Sequence, residues 1–132
     1  RLYSITSYSE LEKNAKSVLR QNTLSPANKK QNYLQQLISN DDPIIATSDY
    51  VRAYSQLISS HINNKFLAMG TDGFGRSDTR KNLRDFFEVD SKHIVVSSLY
   101  TLYEDNKVPL ETLEKAISKY NLNNNKNNPW EI

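Results

Sequence analysis

The sequence predicts a three-layer α/β/α domain with a mostly parallel sheet. Short apolar runs typical of buried strands alternate with stretches in which apolar residues recur at the 3.6-residue period of a helix. Parallel strands need long crossover connections, and a helix is the usual one. A length of 132 residues with 37% hydrophobic residues suits one domain with one core. We place this single α/β domain at residues 1–122 and an Asn-rich tail at residues 123–132.

The first predicted elements are a strand and an amphipathic helix. Side chains alternate over residues 2–7 in the two-residue period of a strand. Ser9 is the predicted N-cap of a helix ending near Gln21, because two glutamates follow it and the apolar residues recur at helical spacing. Residues 22–32 have no apolar period and contain a proline, so we expect a loop and then a short helix near Tyr33.

A second strand and helix follow in the middle of the chain. Residues 44–47 form an apolar run typical of a buried strand. Ser48 or Asp49 is the predicted cap of the next helix. The side chains predicted to form the buried face of that helix are Tyr50, Val51, Tyr54, Leu57, Ile58 and Ile62.

All three glycines of the chain fall in one six-residue window between a third predicted strand, residues 65–69, and another helix. Ser77 or Asp78 is the predicted cap of that helix, which ends near Glu88. Glycine adopts positive φ without a steric penalty, so its clustering indicates a loop that other residues cannot form. Strand-to-helix loops often carry function. The candidate site is this glycine loop with its flanking residues: Gly70, Asp72, Gly73, Phe74, Gly75, Arg76, Ser77, Asp78 and Arg80.

Three nucleotide or metal motifs do not match the glycine loop. The dinucleotide fingerprint G-x-G-x-x-G aligns with Gly73 and Gly75 but ends on Asp78, whose carboxylate would repel a pyrophosphate. A Walker loop needs a lysine after its last glycine, where this chain has Arg76. A calcium loop needs oxygen ligands at alternate positions, whereas the alternate positions after Asp72 are aromatic and basic.

Two interpretations of the glycine loop remain open. One is an anion or carboxylate site made by loop amides, the next helix N-terminus and Arg76 or Arg80. The other, which we prefer, is a structural turn. In that turn Asp72 accepts hydrogen bonds from loop amides, Phe74 fills the core, and the arginines pair with Asp78 or with a neighbouring domain.

The C-terminal third predicts two helices and a tail. Apolar residues at helical spacing predict one helix around residues 94–103 and a second after Pro109, and we expect both to pack on the sheet. The tail is rich in asparagine and lysine, so we expect it to be mobile unless Pro129 and Trp130 dock on the domain.

Composition excludes several classes of protein. The net charge of +2 arises from 17 basic and 15 acidic residues mixed along the chain, which gives no support for nucleic-acid or membrane binding. There is no cysteine and no signal-peptide pattern, so we expect a cytoplasmic location. His61 and His93 have no evident carboxylate partner, and we assign neither a catalytic role. The many tyrosines predict an interface, with Asp49, Tyr50 and Tyr54 as candidates.

The glycine loop closely resembles a signature of one enzyme family. Residues 70–80 read GTDGFGRSDTR and are followed at 87–90 by FEVD. Both stretches are similar to the C-terminal domain of the homodimeric bacterial pyruvate dehydrogenases, which belong to the transketolase C-terminal-like superfamily. The likeness continues through residues 3–7, 10–11, 46–50 and 128–129, in the same order. The superfamily at large carries only a looser Gly-x-Asp-x-Phe-Gly-x-Ser pattern, so the longer match is specific.

The resemblance implies a much longer enzyme that decarboxylates pyruvate and passes the acetyl group to a lipoyl domain of a dihydrolipoyl acyltransferase. Its two preceding domains would bind thiamine diphosphate and magnesium at a homodimer interface. This chain would be a fragment, without the first strand and helix of the C-terminal domain, that supports the preceding domains and the second subunit.

The resemblance carries no catalytic, cofactor-binding or metal-binding residue over to this chain. The family's cofactor motif is Gly-Asp-Gly followed by an asparagine pair, whereas Thr71 stands before Asp72 and Leu99 lies where the pair would be. We therefore expect no cofactor to bind to this fragment alone. Two alternatives stay open: a free-standing interaction or anion-sensing module, and the equivalent domain of a transketolase.

Overall fold

The computed structural model of the chain describes residues 1–122 and 125–131. Within them, two parallel strands are surrounded by six α-helices and three short 3-10 helices. The strands are β1, Ile44–Thr47, and β2, Phe66–Met69. The helices are α1 Tyr8–Leu24, α2 Tyr33–Leu37, α3 Arg52–Gln56, α4 Arg80–Phe86, α5 Ser91–Glu104 and α6 Leu110–Tyr120. The 3-10 helices span Pro26–Asn28, Ser59–His61 and Pro129–Glu131. The predicted α/β class with a parallel sheet is confirmed.

The sheet is covered by a core on each face. Ile44 lies opposite Phe66 in the ladder, and both pack on the cluster formed by Tyr8, Leu34, Ile58 and Ile62. Successive strand residues point to opposite faces. The neighbouring pair, Ile45 and Leu67, accordingly packs on the second cluster, which is formed by Met69, Phe87 and Val89. Helices α1 to α3 supply the first face and α4 and α5 the second, which is the predicted three-layer arrangement.

The strand predicted at residues 2–7 is wrong, because these residues form no ladder in the structure. Leu2 is 99% exposed. A groove of about 650 Å³ separates residues 1–5 from β1, whose ladder partner in the described part of the chain is β2. An alternating pattern favours a strand, but only a neighbour that shares backbone hydrogen bonds produces one.

Helix α1 begins two residues earlier than predicted. Its N-cap is Ser7, whose hydroxyl accepts a hydrogen bond from the Glu10 amide at 3.3 Å, and the prediction of Ser9 is wrong. Tyr8 is buried in the first core cluster, so the chain must already be helical where that side chain enters the core. Helix α2, predicted near Tyr33, is confirmed there and carries a capping box on Asn32.

Helix α3 is shorter than predicted, and neither Ser48 nor Asp49 caps it. Its N-cap position is Val51, with no side-chain cap. The Tyr50 carbonyl accepts a hydrogen bond from the Thr71 amide at 2.9 Å, so this backbone is bonded to the glycine loop and not to a helix. Within the predicted buried face, Tyr50 and Val51 are exposed, while Ile58 and Ile62 lie in the core.

Helices α5 and α6 confirm the last two predicted helices. Helix α5 packs on β1, whereas α6 packs mainly on α5, so only one of the two covers the sheet as expected. No helix in residues 1–122 or 125–131 is long and apolar enough to cross a membrane.

The predicted tail is described only in part, since residues 123, 124 and 132 lie outside the described residues. In the rest of it, Pro129 is buried against the domain, so the tail docks there.

Candidate functional site

The glycine loop connects β2 to α4, the strand-to-helix position predicted for it. Helix α4 is capped by Thr79, whose hydroxyl accepts a hydrogen bond from the Asn82 amide at 3.3 Å. The predicted caps Ser77 and Asp78 are wrong. Asp78 instead accepts from the Thr79 amide at 2.6 Å and from the Asn82 side chain at 2.8 Å. Its carboxylate therefore fixes the entry into the helix.

The three glycines occupy the loop for different physical reasons. A Cβ atom at Gly70 would lie 2.9 Å from the Arg52 backbone nitrogen and closer still to the Tyr50 carbonyl oxygen. Gly73 has φ of +102°, and a Cβ there would also lie 2.9 Å from the Pro129 carbonyl oxygen. Gly75 has open space around it. Positive φ thus explains only one glycine of the cluster.

Asp72 attaches the loop to helix α3. Its Oδ1 accepts a hydrogen bond from the Arg52 amide at 2.9 Å, and its Oδ2 lies 3.2 Å from the Arg52 Nε. The Nε atom is buried and forms no hydrogen bond in the described residues, so the second contact is an ion pair without hydrogen-bond alignment. The expectation that Asp72 accepts from amides of its own loop is wrong, because Arg52 occupies both oxygens.

Phe74 points away from the core, contrary to the prediction that it fills it. Its side chain is 82% exposed. The core beside this loop is already occupied by Met69, Phe87 and Val89, with Phe86 packed against them. The sequence contains the signal for this outcome, since Phe86 and Phe87 also lie near the loop and supply the aromatic rings of this core.

The arginines of the site do not pair with Asp78, which is one of the two partners predicted for them; pairing with a neighbouring domain stays a prediction. The Arg76 guanidinium lies 4.1 Å from the centroid of the Phe86 ring, a cation–π contact. Arg84 pairs weakly with Asp49 at 3.5 Å. Neither Arg76 nor Arg80 has an ion pair within residues 1–122 or 125–131. Together with Phe74 and Gly75, these side chains line a cavity of about 460 Å³.

The candidate interface residues lie next to the loop. Asp49 and Tyr50 are exposed, and their carbonyl oxygens accept hydrogen bonds from the side chain and the amide of Thr71. Tyr54 is half-buried between the Tyr8 and Tyr50 rings, with edge-on contacts at 5.6 Å to each. Their role in an interface stays a prediction.

His93 has a carboxylate partner, contrary to expectation. Its Nδ1 lies 2.7 Å from the Asp90 Oδ1, which also accepts from the His93 amide and caps α5. Burial raises the pKa of Asp90, but hydrogen bonds from His93 and the charge of Lys92 outweigh it and hold that pKa below its ordinary value. An aspartate three residues before a histidine at the start of a helix was the available signal.

Asp85, Asp90 and His93 bring their ligand atoms within 4.8 Å of one another. The Lys92 ammonium lies 3.5 Å from Asp85 and 3.7 Å from Asp90, and the Lys126 ammonium lies 3.9 Å from Asp85, so each carboxylate already has a cationic neighbour. Together with the helix cap on Asp90, this pairing gives the cluster a structural explanation.

The residues of the glycine loop do not fit thiamine diphosphate with magnesium. Magnesium beside a diphosphate needs carboxylate or carbonyl oxygens with free lone pairs. Both oxygens of Asp72 face Arg52, and the Asp78 Oδ1 accepts two hydrogen bonds from the start of α4, which leaves the Asp78 Oδ2 as one carboxylate oxygen where the metal needs several. No reaction step is assigned to these side chains.

Residues 1–90 match the family described as the transketolase-like TK C-terminal domain. The chain belongs to that family, as its resemblance implies. Among curated proteins it is similar to those named pyruvate dehydrogenase E1 component from Buchnera aphidicola, Cupriavidus necator and Escherichia coli. The identities are 40%, 38% and 35%, over 129, 133 and 130 residues. These alignments cover 97% to 99% of this chain but only 14% to 15% of the relatives, so the chain spans about one seventh of their length.

Proposed function

We propose that this chain is the C-terminal, non-catalytic domain of a cytoplasmic pyruvate dehydrogenase. The whole enzyme would decarboxylate pyruvate with thiamine diphosphate and magnesium and transfer the acetyl group to a lipoyl-bearing acyltransferase. Similarity along nearly the whole chain to proteins of that name supports the assignment. The commitment of Asp72 and Asp78 to structural hydrogen bonds supports a role without chemistry in this part.

The work of this domain, in our proposal, is to hold the glycine-loop face against another part of the homodimer. We define that face by Phe74, Arg76 and Arg80. The observation that carries the proposal is the exposed Phe74 ring beside two arginines that form no ion pair with any residue that the structure describes. Aromatic and arginine side chains are enriched in protein interfaces and dominate their binding energy. The partner surface would belong to a preceding domain or to the second subunit, which buries the ring and supplies carboxylates.

The test uses the full-length protein with Phe74→Ala and Arg80→Glu. Truncating an interface anchor costs roughly 1 to 3 kcal/mol. We therefore expect a roughly 5- to 150-fold rise in the dissociation constant of the dimer, or in the equilibrium constant for undocking of this domain. Leu24→Ala is the matched control, because Leu24 is also an exposed apolar residue, 69% exposed, but lies at the end of α1. Analytical ultracentrifugation and limited proteolysis measure the outcome. Equal behaviour of Phe74→Ala and Leu24→Ala would refute this role.

An anion-sensing module is the second candidate function, favoured by the three arginines in the lining of the cavity of about 460 Å³, which also includes the carboxylates of Asp49 and Asp78. Calorimetry of the chain with acetate, pyruvate and inorganic phosphate tests it. Saturable binding that Arg76→Ala abolishes would favour this function over a packing surface, and no heat of binding would favour the packing surface. Thiamine diphosphate with magnesium is titrated in the same series, and micromolar affinity would overturn the assignment of a domain without cofactor.

A further inference from the structure

We propose that the C-terminal segment, residues 125–131, is a clamp that sets the conformation of the glycine loop. The segment contacts the loop, or residues that bind the loop, at three points. One contact is directly with Gly73, and another reaches Arg76 through the Phe86 ring that both Arg76 and Lys126 contact. The proposal of a clamp stands on these contacts alone. Its consequence for association rests on the proposed function, in which the same loop meets a partner.

The first point is backbone against backbone at Gly73. A Cβ atom on this residue would lie 2.9 Å from the Pro129 carbonyl oxygen and 3.0 Å from the Trp130 Cα. Pro129 is the buried residue of the described segment. Because Gly73 also has φ of +102°, the loop turns at the place where the segment presses on it. The residue that makes the turn is therefore also the residue on which the docked segment packs.

The second point passes through Arg52. Its guanidinium lies 5.0 Å from the centroid of the Trp130 ring, while its amide and Nε face the Asp72 carboxylate. One side chain of α3 thus contacts both the segment and the loop residue before Gly73. Docking of Trp130 restricts the arginine that positions Asp72.

The third point lies at the C-terminal end of α4, the helix that follows the loop. The Lys126 ammonium donates a hydrogen bond to the Asp85 carbonyl oxygen at 2.6 Å and lies 5.8 Å from the centroid of the Phe86 ring. The Arg76 guanidinium contacts the same ring at 4.1 Å. The segment consequently holds the end of α4 on which Arg76 rests, and Phe74 lies in the loop between the two anchored positions.

Coupling between the segment and the loop must be reciprocal. If a docked segment favours the loop conformation that a partner binds, then a bound partner must strengthen docking of the segment by the same factor. Release of residues 125–131 would weaken the glycine-loop face without removing any residue from it. This gives the last residues of the chain control over a surface that they do not themselves form.

The experiment is hydrogen exchange of the full-length protein with Trp130→Ala, Trp130→Phe and Asn127→Ala. We expect amides of residues 71–77 to exchange roughly three- to tenfold faster in Trp130→Ala, as expected when a contact of this size is lost. Trp130→Phe retains an aromatic face for Arg52 and should lie near the wild type. Asn127 is an exposed residue of the same segment, and its replacement by alanine is the control.

Unchanged exchange at residues 71–77 in Trp130→Ala would overturn the clamp. Equal acceleration in β1 and β2 would also overturn it, because the segment would then support the whole domain and not the loop. Faster loop exchange together with unaltered association would leave the clamp in place and count against the proposed function instead.

Discussion

The three glycines of the loop provide a matched series of alanine substitutions with three different expected outcomes. Gly70→Ala places a methyl group 2.9 Å from the Arg52 backbone nitrogen and closer to the Tyr50 carbonyl oxygen. Gly73→Ala adds strain at positive φ and a contact with Pro129. Gly75→Ala points into open space. The series therefore tests close approach at Gly70 and backbone strain at Gly73, and Gly75 serves as a control for both.

The magnitudes follow from what each methyl group meets. At Gly70 both neighbours are backbone atoms that cannot rotate away, so we expect the free energy of unfolding to fall by roughly 1 to 3 kcal/mol. At Gly73 the left-handed backbone costs a residue with a side chain roughly 1 to 2 kcal/mol, and displacement of Pro129 adds to it. At Gly75 we expect a change within about 0.5 kcal/mol, or a small gain from reduced entropy of the unfolded chain.

The assay is urea unfolding followed by far-UV circular dichroism, with thermal melts in parallel. For a chain of this size, 1 kcal/mol corresponds to roughly 3 to 6 °C in Tm. Gly70→Ala should therefore melt roughly 3 to 18 °C below the wild type, while Gly75→Ala stays close to it. The reasoning is refuted if Gly75→Ala is as destabilised as Gly70→Ala, since the two methyl groups meet such different surroundings.

Three further predictions concern the carboxylates and the open sheet edge. Asp72→Ala should lower the free energy of unfolding by about 1 to 2 kcal/mol, because the Arg52 amide loses its acceptor, whereas Asp72→Asn retains Oδ1 and should lose less; denaturant titration compares them. The pKa of Asp90 lies below its ordinary value of 3.8, so its contribution to stability is complete above that pH and is lost as the pH falls below it. Asp90→Ala should cost about 1 kcal/mol near pH 7 and should flatten the fall of stability below pH 3.8, and parallel curves of stability against pH for the two proteins would contradict this. Finally, we expect the isolated chain to associate through the groove beside β1, because a free strand edge pairs readily, or else to be only moderately stable. A monodisperse monomer in size-exclusion chromatography with a high Tm would count against this expectation.

Elements with strong apolar patterns could be predicted from the sequence, because the spacing of the apolar residues indicates which side of the element faces the core. Residues 44–47 and 66–69 are strands that contribute to the two core faces, and α5 and α6 follow their helical stripes. The family resemblance rests on the glycine loop and is confirmed by the match over residues 1–90. Local sequence is sufficient where one side of an element must face a core.

The missed features depend on contacts between distant parts of the chain. The alternation in residues 2–7 does not form a strand without a neighbour. The expected start of α3 gave way to a hydrogen bond between Tyr50 and Thr71, 21 residues apart. Phe74 is exposed because Phe86 and Phe87 already supply the aromatic rings of that core. In each case a contact with another part of the chain determines the outcome, and the pattern of the segment by itself does not predict it.

Trp130 gives this chain a spectroscopic property of practical use. It is the only tryptophan among the 132 residues, and its ring lies half-exposed over Arg52. Indole emission from the isolated chain therefore reports on one position in the 3-10 helix Pro129–Glu131, and circular dichroism reports on the α-helices. Two probes that follow one cooperative transition coincide. Separate midpoints in fluorescence and dichroism would mark the temperature or denaturant concentration at which the end of the chain detaches while the sheet and helices remain folded.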